Sequence, residues 1–173
     1  MSANLDDREN FLAAHSHHEQ AASFHREASR HFEAGKDYAH ASHQAWTAHG
    51  HALQARDLAS EIVLHYGKHV VSGKTPDSQV PPKFEVASGS FGGNGPSVLN
   101  CAAHLATAAD HHDQAARRLA DAARHFAAKD YVPALREAHS AIALGVLALS
   151  HSEEAAKCHV KESGAASAAT HVL

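Results

Sequence analysis

The segment "HSHHEQAASFH", residues 15–25, carries four histidines, and "DHHDQAARRL", residues 110–119, echoes its centre. Neutral imidazole ligates Zn, Cu, Ni and Fe, and it also titrates near pH ~6.5 when unperturbed. The chain has 19 histidines against 15 Lys plus Arg, so protonating them all would turn a net charge of −4 into +15. Two chemistries follow from these residues: metal ligation and a response to mild acid. Helical spacing puts His15, His18 and His25 on one face, and His112 takes the equivalent place in the second segment. His49 projects towards the same level from a neighbouring helix. These five form the first candidate metal cluster, with Cu, Ni or Zn as the ion. Haem held between His18 and His112 is a lesser variant of that reading.

A plainer role stands beside it. A helical bundle can bury one histidine by bonding it to a backbone carbonyl, a Ser or a Glu. Several neutral imidazoles in one core are costly unless something joins them. A second candidate set is Cys101, His104, Cys158 and His159, two thiols and two imidazoles suited to tetrahedral zinc or a soft ion. Cys158 and His159 point about 100° apart on a helix. The simpler reading of this second set is two buried reduced cysteines with surface histidines.

Other chemistries are excluded by pattern. A ferritin-like di-iron site needs Glu-x-x-His pairs, and the Glu27–His31 and Glu61–His65 pairs are both i,i+4. There is no CxxCH, no GxxxxGK[ST] loop and no GxSxG elbow. No base, nucleophile and orienter converge, so no enzyme is expected. The charge of −4 argues against a nucleic-acid surface. No run approaches 18 consecutive apolar residues, so no membrane span is expected. The start "MSANLDDREN" lacks the basic and apolar regions of a secretory signal, and a cytoplasmic protein is the expectation.

The elements that must position these residues come from a duplication. His17-His18-Glu19-Gln20-Ala21-Ala22 matches His111-His112-Asp113-Gln114-Ala115-Ala116 at an offset of 94. Arg30-His31-Phe32 matches Arg124-His125-Phe126 at the same offset. Past Gly35 the offset becomes 93, pairing Lys36-Asp37-Tyr38 with Lys129-Asp130-Tyr131. Phe11, His15, His18, Ala22, His25, Ser29 and Phe32 are spaced 4,3,4,3,4,3, as are Leu105, Ala109, His112, Ala116, Leu119, Ala123 and Phe126. That is a heptad seam, which needs helices packed at a shallow angle. The second helix of each half carries a stripe of small residues, from Ala41 to Ala59 and from Ala134 to Ala148, which lets helices approach closely.

"EAGKDY" and "AAKDY" mark tight turns, with Gly35 ending a helix and Asp37 or Asp130 capping the next. The turn segments "HFEAGKDYAHA" and "HFAAKDYVPA" resemble the interhelix turn of tetratricopeptide hairpins. That resemblance implies a shared turn chemistry, since helices of roughly 30 residues are too long for a 34-residue repeat.

The expected fold is all-α: a duplicated helical hairpin forming a four-helix bundle, with one long crossover between helices 2 and 3. It is a single domain over residues 1–173, with hairpins at 4–70 and 98–162. A Gly/Pro-rich connection covers 71–97 and a flexible tail 163–173. If the crossover makes the first and third helices antiparallel, His18 and His112 meet on a pseudo-twofold axis.

The functional expectation is a His-rich bundle that binds a transition metal for storage, buffering or sensing. The rival is a helical scaffold or interaction module, pH-responsive and metal-free, with its alanine stripes forming close helix pairs or a homodimer.

Overall fold

A computed structural model describes residues 3–72 and 97–170, and the side chains from 7 to 67 and from 101 to 161. The expected 71–97 connection lies almost wholly outside the described residues. Four helices are present: α1 (Ala3–Glu33), α2 (Tyr38–Ser72), α3 (Ser97–Ala127) and α4 (Tyr131–Thr170). α4 reaches further than expected. The 163–173 segment is helical up to Thr170, in keeping with the high helix propensity of its alanines.

α1 packs on α2 and α3, α3 packs on α4, and α2 touches α4 more sparingly. The cyclic order is therefore α1, α2, α4, α3. Cross-helix contacts fix the directions. Phe11 meets Phe126, His18 meets His112, and Ser29 donates to the Ala102 carbonyl, so α1 and α3 are antiparallel. Asp7 meets Tyr66 and His17 meets His51, so α2 runs back along α1. The end of α2 and the start of α3 thus lie at opposite ends of the bundle.

The core divides along its length. One end holds Phe11, Ile62, Leu119 and Phe126, with Tyr66 and Tyr131 packed against them. The other holds Phe32, Ala41, Cys101, Leu105 and Ala155. Between them, small residues such as Ala21, Ala48 and Ala52 keep the helices close. Most of the polar side chains in the core fall near this narrow waist.

α4 departs from the expectation about membranes. Over Tyr131–Lys161 it is long and apolar enough, by length and composition, to cross one. The apolarity is largely alanine and leucine, and Ala134, Ala138, Ala141 and Ala148 are buried inside the bundle. Of the apolar window 33% is buried inside the bundle, and Val132, Val146 and Val160 lie exposed along the helix.

Both hairpin turns close with the same hydrogen bonds. Lys36 N–H reaches the His31 carbonyl and Gly35 N–H the Phe32 carbonyl. Asp130 and Lys129 repeat the pattern on His125 and Phe126. This is a Schellman closure, whose C′ residue adopts the left-handed conformation. Gly35 does so at φ 62°, but its counterpart Lys129 sits at φ 65° with a full side chain. Lys129→Gly should therefore raise stability by about 0.5–1 kcal/mol. Urea unfolding checks this, and a midpoint that is unchanged or lower would show that Lys129 is not strained.

Candidate metal centre

The antiparallel packing of α1 on α3 brings His18 and His112 together at the middle of the bundle. Their Nδ1 atoms are 3.0 Å apart and their ring centroids 5.1 Å apart. His25, about two turns further along α1, stacks on His112 at 5.4 Å with the planes 5° from parallel. All three are 1% exposed or less. In the His18–His112 contact one Nδ1 must donate and the other accept. His112 Nε2 and both nitrogens of His25 are buried without a hydrogen-bond partner. Whatever tautomers are chosen, His25 holds at least one N–H with no acceptor, a costly arrangement for a core.

Burial makes these imidazoles hard to charge. Desolvation, followed by repulsion from His49, lowers the pKa of His25 to about 4. His18 and His112 are lowered too, chiefly by desolvation and then by neighbouring imidazoles. Gly145 on α4 makes room for the pair. A Cβ there would come within 3.1 Å of His18 Cε1.

The other two members of the expected cluster point elsewhere. His15 is drawn to the backbone of α3: its Nδ1 donates to the Ala116 carbonyl at 2.9 Å, and its Nε2 lies 3.4 Å from Glu19. His49 is half-exposed and stacks on Trp46 at 5.7 Å. It lines a cavity of about 320 Å³ between α2 and α4 with Phe32, Leu105 and His159. Haem between His18 and His112 does not fit. The two nitrogens are already in contact, and neither residue borders that cavity.

Cys101, His104, Cys158 and His159 are not gathered into a ligand set. Cys101 is buried in one apolar cluster and Cys158 packs against it, and neither forms a disulfide. His104 turns to His151, Nδ1 to Nδ1 at 3.1 Å. His159 lies against the rings of Phe32 and Tyr38.

Ligand atoms do converge at the first hairpin turn. Glu27, His31 and His40 each offer one donor atom, and these all lie within 4.8 Å of one another. Glu27 and His31 are one turn apart near the end of α1. His40 arrives from the first turn of α2, its backbone N–H bonded to the Asp37 carboxylate at 3.1 Å. His40 Nε2 is 3.6 Å from Glu27 Oε1, and the His31 and His40 rings are 4.7 Å apart. The Gln44 amide nitrogen, 3.0 Å from His40 Nε2, can only donate, so the Nε2 lone pair accepts its hydrogen bond and an ion bound at Nε2 would displace Gln44. All three residues are half-buried beside an open cavity bordered by Glu27, Arg30, His31 and Ala34. The site lies between the C-terminus of α1 and the N-terminus of α2, whose macrodipoles act in opposite senses on a cation.

The second copy lacks this arrangement. The equivalents of Glu27, His31 and His40 are Asp121, His125 and Pro133. Asp121 is paired with Arg124 at 2.9 Å, and Pro133 has no imidazole. From sequence, the i,i+4 spacing of Glu27 and His31 serves only to dismiss a di-iron motif, and helical spacing does not relate His40 to them. The available signal was Glu and His on one face at a helix end, with a His in the first turn of the next helix.

In comparisons with known proteins, no family model, curated protein or solved structure matches the chain.

The buried imidazoles predict an acid-sensitive fold. Unfolded, they titrate near 6.5; folded, they stay neutral to well below that. Stability is therefore fully present above pH 6.5 and is lost as pH falls towards the folded values, because the unfolded chain then binds more protons. For metal-free protein, three such groups imply a loss on the order of 4 kcal/mol between pH ~7.5 and ~5.5. Denaturant melts at the two pH values measure it, and equal midpoints would contradict neutral burial.

Proposed function

We propose that this protein binds a divalent transition metal ion, Zn, Cu or Ni, without catalysing a reaction, and that it serves in metal storage, buffering or sensing. The observation that carries the reading is the convergence of Glu27, His31 and His40 within 4.8 Å at the α1–α2 turn. Two imidazoles and a carboxylate are a donor set that all three ions accept. The carboxylate offsets part of the ion's charge. The open side leaves room for water to complete the coordination. Such a site holds an ion that exchanges with solution, which suits buffering or sensing better than irreversible structural binding.

A scaffold without metal is the competing reading. Trp46 favours it, an aromatic side chain 75% exposed beside the α2–α4 cavity and available to a partner.

Elemental mass spectrometry of protein purified without an affinity tag separates the two, together with thermal shifts on adding Zn, Cu or Ni. The metal reading expects about one divalent ion per chain and a rise in melting temperature set by ligand concentration over Kd. His31→Ala and His40→Ala should each weaken binding by at least about tenfold, the lower bound seen even for residues that only orient ligands. His125→Ala, at the equivalent place in the second copy, should leave it unchanged. Less than about a tenth of an ion per chain with no thermal shift would sink the reading.

A further inference from the structure

Away from the turn site, the histidines form a row across the bundle. On the α1–α2 side His17 and His51 meet, Nδ1 to Nδ1, at 3.1 Å. At the centre His18 and His112 meet at 3.0 Å. On the α3–α4 side His104 and His151 meet at 3.1 Å, and His111 stacks on His151 at 5.5 Å. His17 adjoins His18 in sequence, as His111 adjoins His112, so the three pairs run from α2 through α1 and α3 to α4. The outer pairs are half-buried and the central pair is buried.

Duplication alone does not produce this row. It relates His17 and His18 to His111 and His112. The outer partners are not related, because His51 corresponds to Leu144 and His151 to Leu58. Each half supplies its own outer imidazole from a different place.

Each pair presents the same chemistry. One Nδ1 donates a hydrogen bond to the other. If the donor ring carries its proton on Nε2 instead, two lone pairs face each other and no proton leaves the protein. With metal–nitrogen bonds of about 2.0–2.1 Å, two ligands in line stand roughly 4.1 Å apart, so each pair must open by about 1 Å to take a two-coordinate ion. His25 stacks on His112, but its nitrogens do not converge with those of both His18 and His112, so the central site is a pair.

Charge decides which ion suits the central pair, whereas towards α4 Asp110 acts on His111 and Glu154 on His151. The groups that act on His18, His25 and His112 are all imidazoles, His15, His17, His49 and His111 among them, and no carboxylate is in that set. A divalent ion would bring two uncompensated charges into a low-dielectric core. The desolvation cost rises with the square of the charge, so a monovalent ion is far cheaper to bury. Zinc also asks for four ligands almost without exception, which the central pair does not supply.

We propose that the three imidazole pairs bind monovalent d10 ions, copper(I) with silver(I) as its redox-inert surrogate, the buried His18–His112 pair holding the central one. This goes beyond the divalent site at the turn. It uses other residues and an ion of other charge, and the two stand or fall separately.

The test uses full-length, chelator-stripped protein under anaerobic conditions. Copper(I) is titrated against a chromophoric copper(I) chelator, silver(I) is titrated in parallel, and native mass spectrometry counts the ions retained. Thiols bind both ions on their own, so the titrations are repeated in a Cys101→Ala/Cys158→Ala background. The expected result there is up to three ions per chain, one for each pair. His18→Leu/His112→Leu should remove one ion, and circular dichroism reports whether that variant folds. His51→Leu and His151→Leu, at half-buried positions, should each remove one ion as well, and they serve if the core variant does not fold. Glu27→Gln/His31→Ala/His40→Ala should abolish divalent binding and leave the monovalent count intact. Loss of all monovalent binding with the two cysteines would overturn the proposal, as would a count that ignores the His51 and His151 substitutions. Divalent binding at the turn would survive either result.

Discussion

Where α1 lies against α3, the chain places an imidazole pair at a position that two leucines would fill at lower cost. The approach is possible because the surrounding positions are small: Ala22, Ala109, Ala115 and Gly145 surround or flank the contact. The price is a core cut in two, with aromatic and aliphatic clusters at the ends and polar rings between them. The ends must then supply most of the apolar stabilisation. They do so with the T-shaped Phe11–Phe126 contact, the Tyr66 and Tyr131 rings around it, and Phe32 with Leu105 opposite.

The two halves are alike in backbone and unlike in polarity. The second copy has Leu119 where the first has His25, and Leu144 where the first has His51. α2 is the more polar partner and packs less closely on α4 than α1 does on α3. The cavity beneath Trp46 and His49 is the result. The turns differ too. The first contains one more residue, with both Gly35 and Asp37 at positive φ, and the second passes through the left-handed region once, at Lys129. With Pro133 in place of His40 and Asp121 paired to Arg124, the Glu27–His31–His40 convergence belongs to the first copy alone.

The architecture was legible in the sequence because it rests on periodicity and repetition. The heptad seams, the turn residues and the offset of 94 all describe local or self-similar features. The His18–His112 contact could be read as well, provided that α1 and α3 run in opposite directions, which the chain pattern alone left open. Orientation around the seam was not legible. His15 occupies a seam position, yet its ring is claimed by the Ala116 carbonyl, and His49 settles on Trp46. In the second set, Cys101 and Cys158 share one apolar cluster, while His104 meets His151 and His159 lies against Phe32 and Tyr38. The turn site needed the three-dimensional path of the loop, since helical spacing relates Glu27 to His31 but says nothing of His40. The 73–96 connection lies outside the described residues.

His18 and His112 are related by the internal repeat and sit on its pseudo-twofold axis. In a symmetric dimer of one hairpin, the same residue would face its own copy across a true axis. A neutral Nδ1–Nδ1 contact cannot obey such an axis, because one ring must carry the proton and the other must not. Either the two rings exchange roles or the symmetry is broken. Covalent fusion removes that degeneracy. Once the halves are joined, Gly145 faces His18 while Ala52 occupies the equivalent place in the other half. The two rings then have different neighbours, and the proton has a reason to prefer one of them.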